Sequence, residues 1–496
     1  MAKKTIELKN AHLNRVIRWY DYITINIYWL GLTTLSQTCG LVFPLLIQGF
    51  VGEEAKATYY GSMRLWTLMV ALLVQAMMGM LSDRSRLRWG RRRPFIFAGT
   101  LGDLVFISAI GFLAGVEGIT GYWMLFVFAI FLQITSNTAH SAEQGLIPDV
   151  VPEDHRGRFS GIKAVFEVPI PLILVSFTIG KLISTGHLWA GLFLAMGIIT
   201  LVMLLTMLVR EEPLKETPPP LDWTPFLRLV GMTALFTLII LGVGKAVELA
   251  SKLLVDVTSA TALFVIMGIL GLAAMATAVA LGVYLSVRVS VGDAAKENPS
   301  FTWWVVNRLA FLVGTTNLSG FAVYFFQGRL GYVREQAAGP AAQLMMFVGI
   351  FILVSALPSG WLADRFGHKR MVMLSGLVAA LGTVFAVATT SLPVIYVGGC
   401  IIGIATGLFF TSNWALGTSL VPKGEAGRYL GLSNLAGAGA GAVGGYIGGP
   451  IADFFTAKFP EIPGLGYVLL FTMYGVMFLL SVVALAGVHL KASSEN

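Results

Sequence analysis

The chain predicts an all-α membrane protein built from two related bundles of helices, and three observations carry that prediction. Gly79, Asp83 and Arg84 in GMLSDRSRLRWGRRRPF (79–95) recur as Gly360, Asp364 and Arg365 in GWLADRFGHKRMV (360–372). Each copy closes an apolar run, adds a compact basic loop and opens another apolar run. Fourteen apolar runs are long enough to cross a bilayer as helices, for which about 20 residues suffice. Of 496 residues, 56% are hydrophobic and only 12% charged, where a soluble domain is about one quarter charged.

The runs fall near 22–50, 62–82, 94–115, 121–147, 160–184 and 187–209, then 227–254 and 260–288. Six more follow near 302–327, 340–362, 371–390, 393–420, 428–454 and 465–488. A Pro-rich linker at 210–222 and a polar break at 291–300 set off the middle pair. The predicted organisation is an N-terminal six-helix bundle (1–209), a linker with two inserted transmembrane helices (210–300) and a C-terminal six-helix bundle (301–496). The repeat reaches beyond the turn: TSNTAHSAEQGLIP (135–148) parallels TSNWALGTSLVP (411–422), and RGRFSG (156–161) parallels AGRYLG (426–431). The middle pair has no counterpart and reads as an insertion. Its first run, 227–254, carries Lys245, Glu248 and Lys252 at one end, so it either spans or lies partly at the interface.

Placing the N-terminus in the cytoplasm puts the loops 1–18, 84–93, 156–163, 210–215, 288–296, 365–370, 423–428 and the C-terminal tail on one side. These loops hold most of the 34 Lys and Arg, the asymmetry expected of cytoplasmic loops. Lys56, Arg64, Lys181, Lys252, Arg329, Arg334 and Lys458 then fall on the outer side. Both termini are expected in the cytoplasm and the protein in the cytoplasmic (inner) membrane. The first apolar run is too long for the h-region of a cleavable signal peptide and reads as the first span. The net charge of +8 sits in short loops rather than on one polar face, which argues against nucleic acid as a partner. Cys39 and Cys400 lie within apolar runs, and the six histidines are scattered, so no disulfide framework, metal site or cofactor is expected. No nucleophile–base constellation suggests an enzyme.

Ionisable residues inside spans are costly and point to function. Asp103 lies nine residues beyond Pro94, roughly 14 Å deep at 1.5 Å per residue, and Glu167 about 10 Å into the fifth helix. A desolvated carboxylate takes up a proton more readily, so Asp103 and Glu167 are the candidates for proton coupling, or else form structural hydrogen bonds between helices. Arg308, next to Asn307, either pairs across a cavity or snorkels to the interface. Gln133, Asn137, His140 and Gln144 share one helical face, suited to a hydroxyl-rich ligand or to helix–helix bonding. Asn413 is the counterpart in the second half. Tyr20, Tyr22, Tyr28 and Trp29, with Trp303, Trp304, Tyr324 and Trp414, can stack on sugar rings or anchor helix ends at the interface. Tyr28, Trp29 and Trp414 lie deepest. Asp83 with Arg84 and Arg91–Arg93 can cap a helix N-terminus across the halves while pairing with loop arginines. Asp364 with Arg365 and Arg370 is the second copy of this latch; the alternative is a topology signal alone. Gly439, Gly441 and Gly444 spell GxGxxG, but no strand precedes them and the segment is apolar, so they read as helix-packing residues.

The Gly-x-x-x-Asp-Arg turn with its basic loop, present in both halves, resembles the signature of the major facilitator superfamily. That resemblance covers nearly the whole chain and implies two six-helix bundles around a central cavity that rock to give alternating access. SDRSRLRWGRRRPFI, NRLAFLVGTTNLSGFAVYFF (307–326) and FFTSNWALGTSLVP (409–422) resemble the sucrose transporters and the glycoside–pentoside–hexuronide cation symporters. This implies a monomeric, proton- or cation-coupled transporter of a small solute, a sugar or glycoside. The symporter group normally has twelve helices and fourteen occur in drug-efflux branches, so efflux of amphipathic compounds is the alternative. A non-transporting assembly protein on the same fold is a third reading. Asn413 stands where the bacterial symporters carry an aspartate.

Overall fold

In a bilayer each backbone N–H and C=O must be satisfied within its own segment, so long apolar runs fold as helices. The computed structural model describes residues 17–211, 213–214, 218, 220–292, 299–421 and 426–489. The charged segments 1–16, 293–298, 422–425 and 490–496, which also enter the orientation argument, lie outside the described residues.

The first bundle comprises α1 (Tyr28–Val51), α2 (Lys56–Asp83), α3 (Arg93–Phe112), α4 (Gly118–Val150), a broken fifth span and α8 (Leu188–Thr206). The fifth span is α5 (Arg156–Glu167), α6 (Pro169–Leu174), a π-turn and α7 (Gly180–Ser184). Its break has a local cause. Pro169 removes a backbone donor and disfavours the helical region for Val168, which sits at φ −118°, ψ −70°. The pair read from sequence as an insertion forms α9 (Thr224–Leu253) and α10 (Ala260–Val291). The second bundle comprises α11 (Pro299–Gly320), α12 (Ala322–Leu330), α13 (Ala338–Phe366), α14 (His368–Val387), α15 (Leu392–Leu420), α16 (Ala426–Lys458) and α17 (Leu465–Ala484).

Among the described residues, twelve helices are long and apolar enough to cross a membrane, or thirteen if α11 and α12, bent by 60°, form one span. Fourteen were expected; the remaining run lies in α16, a continuous helix of 33 residues. Run 227–254 forms a 30-residue helix that passes the same test. At its end Glu248 binds Lys245 and Lys252, each at 2.8 Å, so its carboxylate is shared between the two ammonium groups.

The α11–α12 bend, read from sequence as one straight run, is occupied by a residue of the other half. Arg64 of α2 fills the space a Cβ at Gly320 would need and donates to the Thr316 carbonyl at 3.3 Å. A bend frees carbonyls from the helix ladder, and Arg64 satisfies one of them. Arg64 and Lys56, assigned to the outer side, lie within α2, with Lys56 buried at its start.

The halves meet along α2 and α16, and along α6–α7 and α13. Gly61 abuts the Gly445 carbonyl and Gly449 the Ala57 carbonyl, so the two backbones touch where any side chain would hold them apart. Gly180 packs on Ala342 and Gly349 on Leu172. The contacts at Gly61, Gly449 and Gly180 lie toward the end away from the duplicated turns, and that at Gly349 lies near mid-span. At the turn end, among the described residues, Gly79 has nothing within 4 Å and Gly360 meets only Thr411 of its own half. Gly61→Val is therefore expected to destabilise the protein by about 1–3 kcal/mol through overpacking, while Gly79→Val leaves it unchanged. Melting curves of the purified variants check this.

The inserted pair packs on the second half. Phe236 of α9 fills the notch at Gly439 of α16, and Gly271 of α10 receives Ile451 and Met473. The GxGxxG glycines thus have a packing role: Gly439 accepts Phe236, Gly441 accepts Leu68, and Gly444 accepts Asn317.

Candidate functional site

In the first half, Trp29 and His140 meet edge-on with centroids 5.1 Å apart, and the Lys163 ammonium sits 3.8 Å above the Trp29 ring. Along α4, Asn137 donates to the carbonyl and side-chain oxygens of Gln133 at 2.9 and 3.0 Å, while His140 and Gln144 pair at 3.0 Å. The stripe read from the sequence is thus one face, largely bonded to itself. Tyr28 is buried with its hydroxyl 2.7 Å from that of Thr100. Asp103 is buried and accepts from Thr135 at 2.6 Å and Ser136 at 3.1 Å. Glu167 is half-buried and lies 3.6 Å from Lys163.

In the second half, a chain of bonds organises the polar residues. Arg308 donates to the Asn413 side-chain oxygen at 3.0 Å, Asn413 to that of Asn307 at 2.9 Å, and Asn307 to the Ser481 carbonyl at 2.8 Å. Trp304 donates to the Asn413 carbonyl at 3.0 Å. The Arg308 guanidinium lies 5.9 Å from both the Trp304 and Trp414 rings. Its Nε is buried without a partner, and no carboxylate pairs with it among the described residues. Trp414 itself is 47% exposed. Tyr22 stacks on Phe159, Tyr20 lies beside Trp19, and Trp303 covers Gly487. An apolar cavity of about 200 Å³ lies deeper in this half, between Leu312, Thr316, Met345 and Phe410.

The two turns differ. Asp83 pairs with Arg92 and lies 4.0 Å from Arg91. Both arginines bind Asp149 at the end of α4, at 2.7 and 2.5 Å, and Arg92 also donates to Ser82 at 3.0 Å. Glu211 accepts from the backbone N–H of Arg92 at 2.7 Å and of Arg93 at 3.1 Å, so it caps α3. Burial pushes the Glu211 carboxyl up from its ordinary value, opposed by these amides and that of Arg91. Arg84 donates to the Pro220 carbonyl at 3.2 Å. In the second copy, Asp364 lies 4.0 Å from His368, Arg365 stacks over Trp361 and Phe366, and Arg370 is exposed. The bonds drawn here for both turns stay within one half and the adjoining linker.

The far end carries a cross-half cluster that sequence reasoning did not find. Asp453 of α16 is buried and accepts from the backbone N–H of Ala57 at 3.1 Å and Thr58 at 2.7 Å. It therefore caps α2 across the seam, which is the device anticipated for Asp83 but at the opposite end. Lys56 donates to Glu53 at 2.5 Å and Gln327 at 2.6 Å and lies 4.8 Å from the Tyr324 ring. Tyr324 donates to the Pro44 carbonyl at 2.8 Å, and Arg334 to that of Leu45 at 2.9 Å. Glu143, also unremarked in the sequence, is buried with neither carboxylate oxygen hydrogen-bonded. An ionisable residue within a predicted span was the signal available for both Asp453 and Glu143.

Two helical bundles with polar interiors, joined at one end and built from apolar helices, define a multi-pass membrane protein. The chain belongs to the Major Facilitator Superfamily, which it matches over residues 28–328, 221–445 and 306–495. It is similar to the minor myo-inositol transporter IolF of Bacillus subtilis (strain 168), with 37% identity over 90 residues, 18% of this chain and 20% of that one. Myo-inositol transporter 2 of Schizosaccharomyces pombe is 27% identical over 146 residues, 28% of this chain and 26% of that one. The chain thus spans about a quarter or less of these relatives' length. Among solved structures, the nucleoside transporter NupG superposes with a TM-score of 0.63 at 12% identity, covering 94% of this chain and 99% of that one. A D-xylose–proton symporter superposes with a TM-score of 0.58 at 15% identity, covering 94% of this chain and 97% of that one. At these identities the structures share the fold.

Proposed function

We propose that the protein is a secondary transporter that moves a small hydroxylated solute, a sugar, glycoside or cyclitol, across the cytoplasmic membrane by alternating access. The observation that carries this reading is the pair of polar, aromatic-flanked clusters on counterpart helices of the two halves. Gln133, Asn137 and His140 stand beside Trp29 on one side, and Asn307, Arg308 and Asn413 beside Trp414 on the other. Amides offer both donors and acceptors to ring hydroxyls. The curated relatives are myo-inositol transporters by name, which favours this substrate class. Orientation by the basic loops puts both termini and both duplicated turns on the cytoplasmic side. The far-end seal then makes this an inward-open conformation, with the Asp83 and Asp364 latches released and free to close in the outward-open one. The three-part organisation and a monomeric carrier complete the proposal.

Proton coupling is assigned to carboxylates of the first half. Burial in α3 supports Asp103 in this role, and pairing with Lys163 supports Glu167. In proteoliposomes, radiolabelled myo-inositol and glucose should accumulate saturably when a pH gradient is imposed. Asp103→Asn or Glu167→Gln should abolish that accumulation. If neither sugar accumulates, the substrate assignment fails; if both variants accumulate solute like the wild type, neither carboxylate carries the proton.

A further inference from the structure

Glu143 is 1% exposed, one helical turn from His140 on α4, and neither carboxylate oxygen has a hydrogen-bond partner among the described residues. The other buried carboxylates of the spans differ. Asp103 accepts from two hydroxyls and Asp453 from two backbone amides. An ionised carboxylate buried without donors is among the costliest groups a protein can hold, whereas the neutral acid is far cheaper. Lys163 of α5 lies within electrostatic reach of Glu143. Its ammonium is nevertheless placed over Trp29 at 3.8 Å and beside Glu167 at 3.6 Å. Other titratable groups on or against α4 include Tyr28 on α1, Asp83 at the end of α2, Arg91 and Arg92 before α3, Asp103 on α3, and Tyr122, His140 and Asp149 on α4 itself. Tyr28 bonds to Thr100, Arg91 and Arg92 to Asp149, Asp83 to Arg92, Tyr122 to the Tyr59 carbonyl and His140 to Gln144, so these groups are engaged elsewhere.

We propose that Glu143 is a proton-binding site with Lys163 as its exchangeable counter-ion. In the conformation seen here Glu143 holds the proton as a neutral acid, and Lys163 rests on Trp29 and Glu167. When the carboxyl O–H bond breaks and the proton passes to water, the carboxylate left behind draws the ammonium from Glu167. Lys163 belongs to α5, which is separated from α6 by the break at Val168–Pro169. The exchange therefore pulls the turn-end half of the fifth span toward α4, linking proton release to helix movement. The site stands on its own geometry, and it deepens the proposed transport reading, on which the word coupling rests.

The test needs no solute. Infrared difference spectra of the lipid-reconstituted protein, stepped across pH, report the carbonyl stretch of protonated carboxyl groups. Glu143→Gln should remove a titrating component of that band that Asp103→Asn leaves in place. Glu143→Asp, which keeps the acid, should retain it at a shifted frequency and guards against a folding defect. Lys163→Gln should displace the midpoint of that component by an amount that Glu167→Gln does not reproduce. A band unchanged in Glu143→Gln overturns the proton site, and an unmoved midpoint in Lys163→Gln overturns the counter-ion. Myo-inositol flux is then measured on the same vesicles. No flux in the wild type overturns the solute assignment while the infrared result stands. Full gradient-driven accumulation in Glu143→Gln overturns the coupling role.

Discussion

Asp453→Ala is expected to open the far end of the seam. The carboxylate accepts two backbone N–H bonds from the first turn of α2, and hydrogen bonds to charged groups are worth roughly 1.5–3 kcal/mol each. Truncation leaves both amides buried and unpaired between two helices that touch through glycine. Allowing for partial rescue by water, the joined state should lose about 2–4 kcal/mol, a shift of roughly 30-fold or more in its equilibrium. The readout is the rate at which an impermeant maleimide labels a cysteine introduced at Thr58, with Cys39 and Cys400 replaced by serine. Labelling should accelerate at least tenfold in Asp453→Ala and by less in Asp453→Asn, which keeps one acceptor oxygen. Equal rates in all three proteins would show that the cap does not hold the seam. Lys56 belongs to the same cluster, but its bonds to Glu53 and Gln327 lie beside the cap rather than in it.

The second large effect is expected at Arg308. Its guanidinium is held by Asn413 between two indoles and keeps a buried, unpartnered Nε. Arg308→Ala strips Asn413 of a donor and leaves a buried amide oxygen short of a bond, at a cost of about 1–3 kcal/mol. It also removes a fork of donors that a lysine cannot reproduce. Solute uptake should fall by about 100-fold or more in Arg308→Ala, in line with one or two charge-assisted bonds lost to the solute. Arg308→Lys should recover little of it. Arg288 on the inserted α10 stacks on Tyr284 at 4.6 Å and faces no such cluster, so Arg288→Ala should transport normally. Unimpaired uptake in Arg308→Ala would remove the second-half cluster from the solute path.

Much of the fold was legible because crossing a bilayer is a requirement on each segment alone. Some 20 apolar residues in a row suffice, and the spans at 94–115, 187–209 and 465–488 reappear as helices at nearly those bounds. The π-turn and break in the fifth span were not drawn, although Pro169 and Pro171 stood in plain view, since hydropathy ignores the backbone donor that proline lacks. The bend at Gly320 was invisible for a different reason. The side chain that fills it is Arg64, 256 residues earlier in number and on the other half, seated where a Cβ would stand.

The candidate site was legible as a set of residues but not as a set of partners. Asp103, Asn137 and Asn307 were singled out because polar groups inside apolar runs are costly, and all three are buried and hydrogen-bonded. Glu143 and Asp453 obey the same rule and were passed over. Glu143 was obscured by the polar stripe around it and Asp453 by its place near a helix end.

The sequence alone determined the membrane class, the twofold repeat, the superfamily and the polar residues worth following, because hydropathy and motif spacing are properties of neighbours along the chain. Only the tertiary structure decided which end of the molecule is joined and by which groups. The cap on α2 comes from a carboxylate 396 residues away from Ala57, and no periodicity records a contact between helices of different halves. The protonatable Glu143 and its counter-ion on the broken fifth span were likewise set by packing, since burial without a donor is a fact of three dimensions.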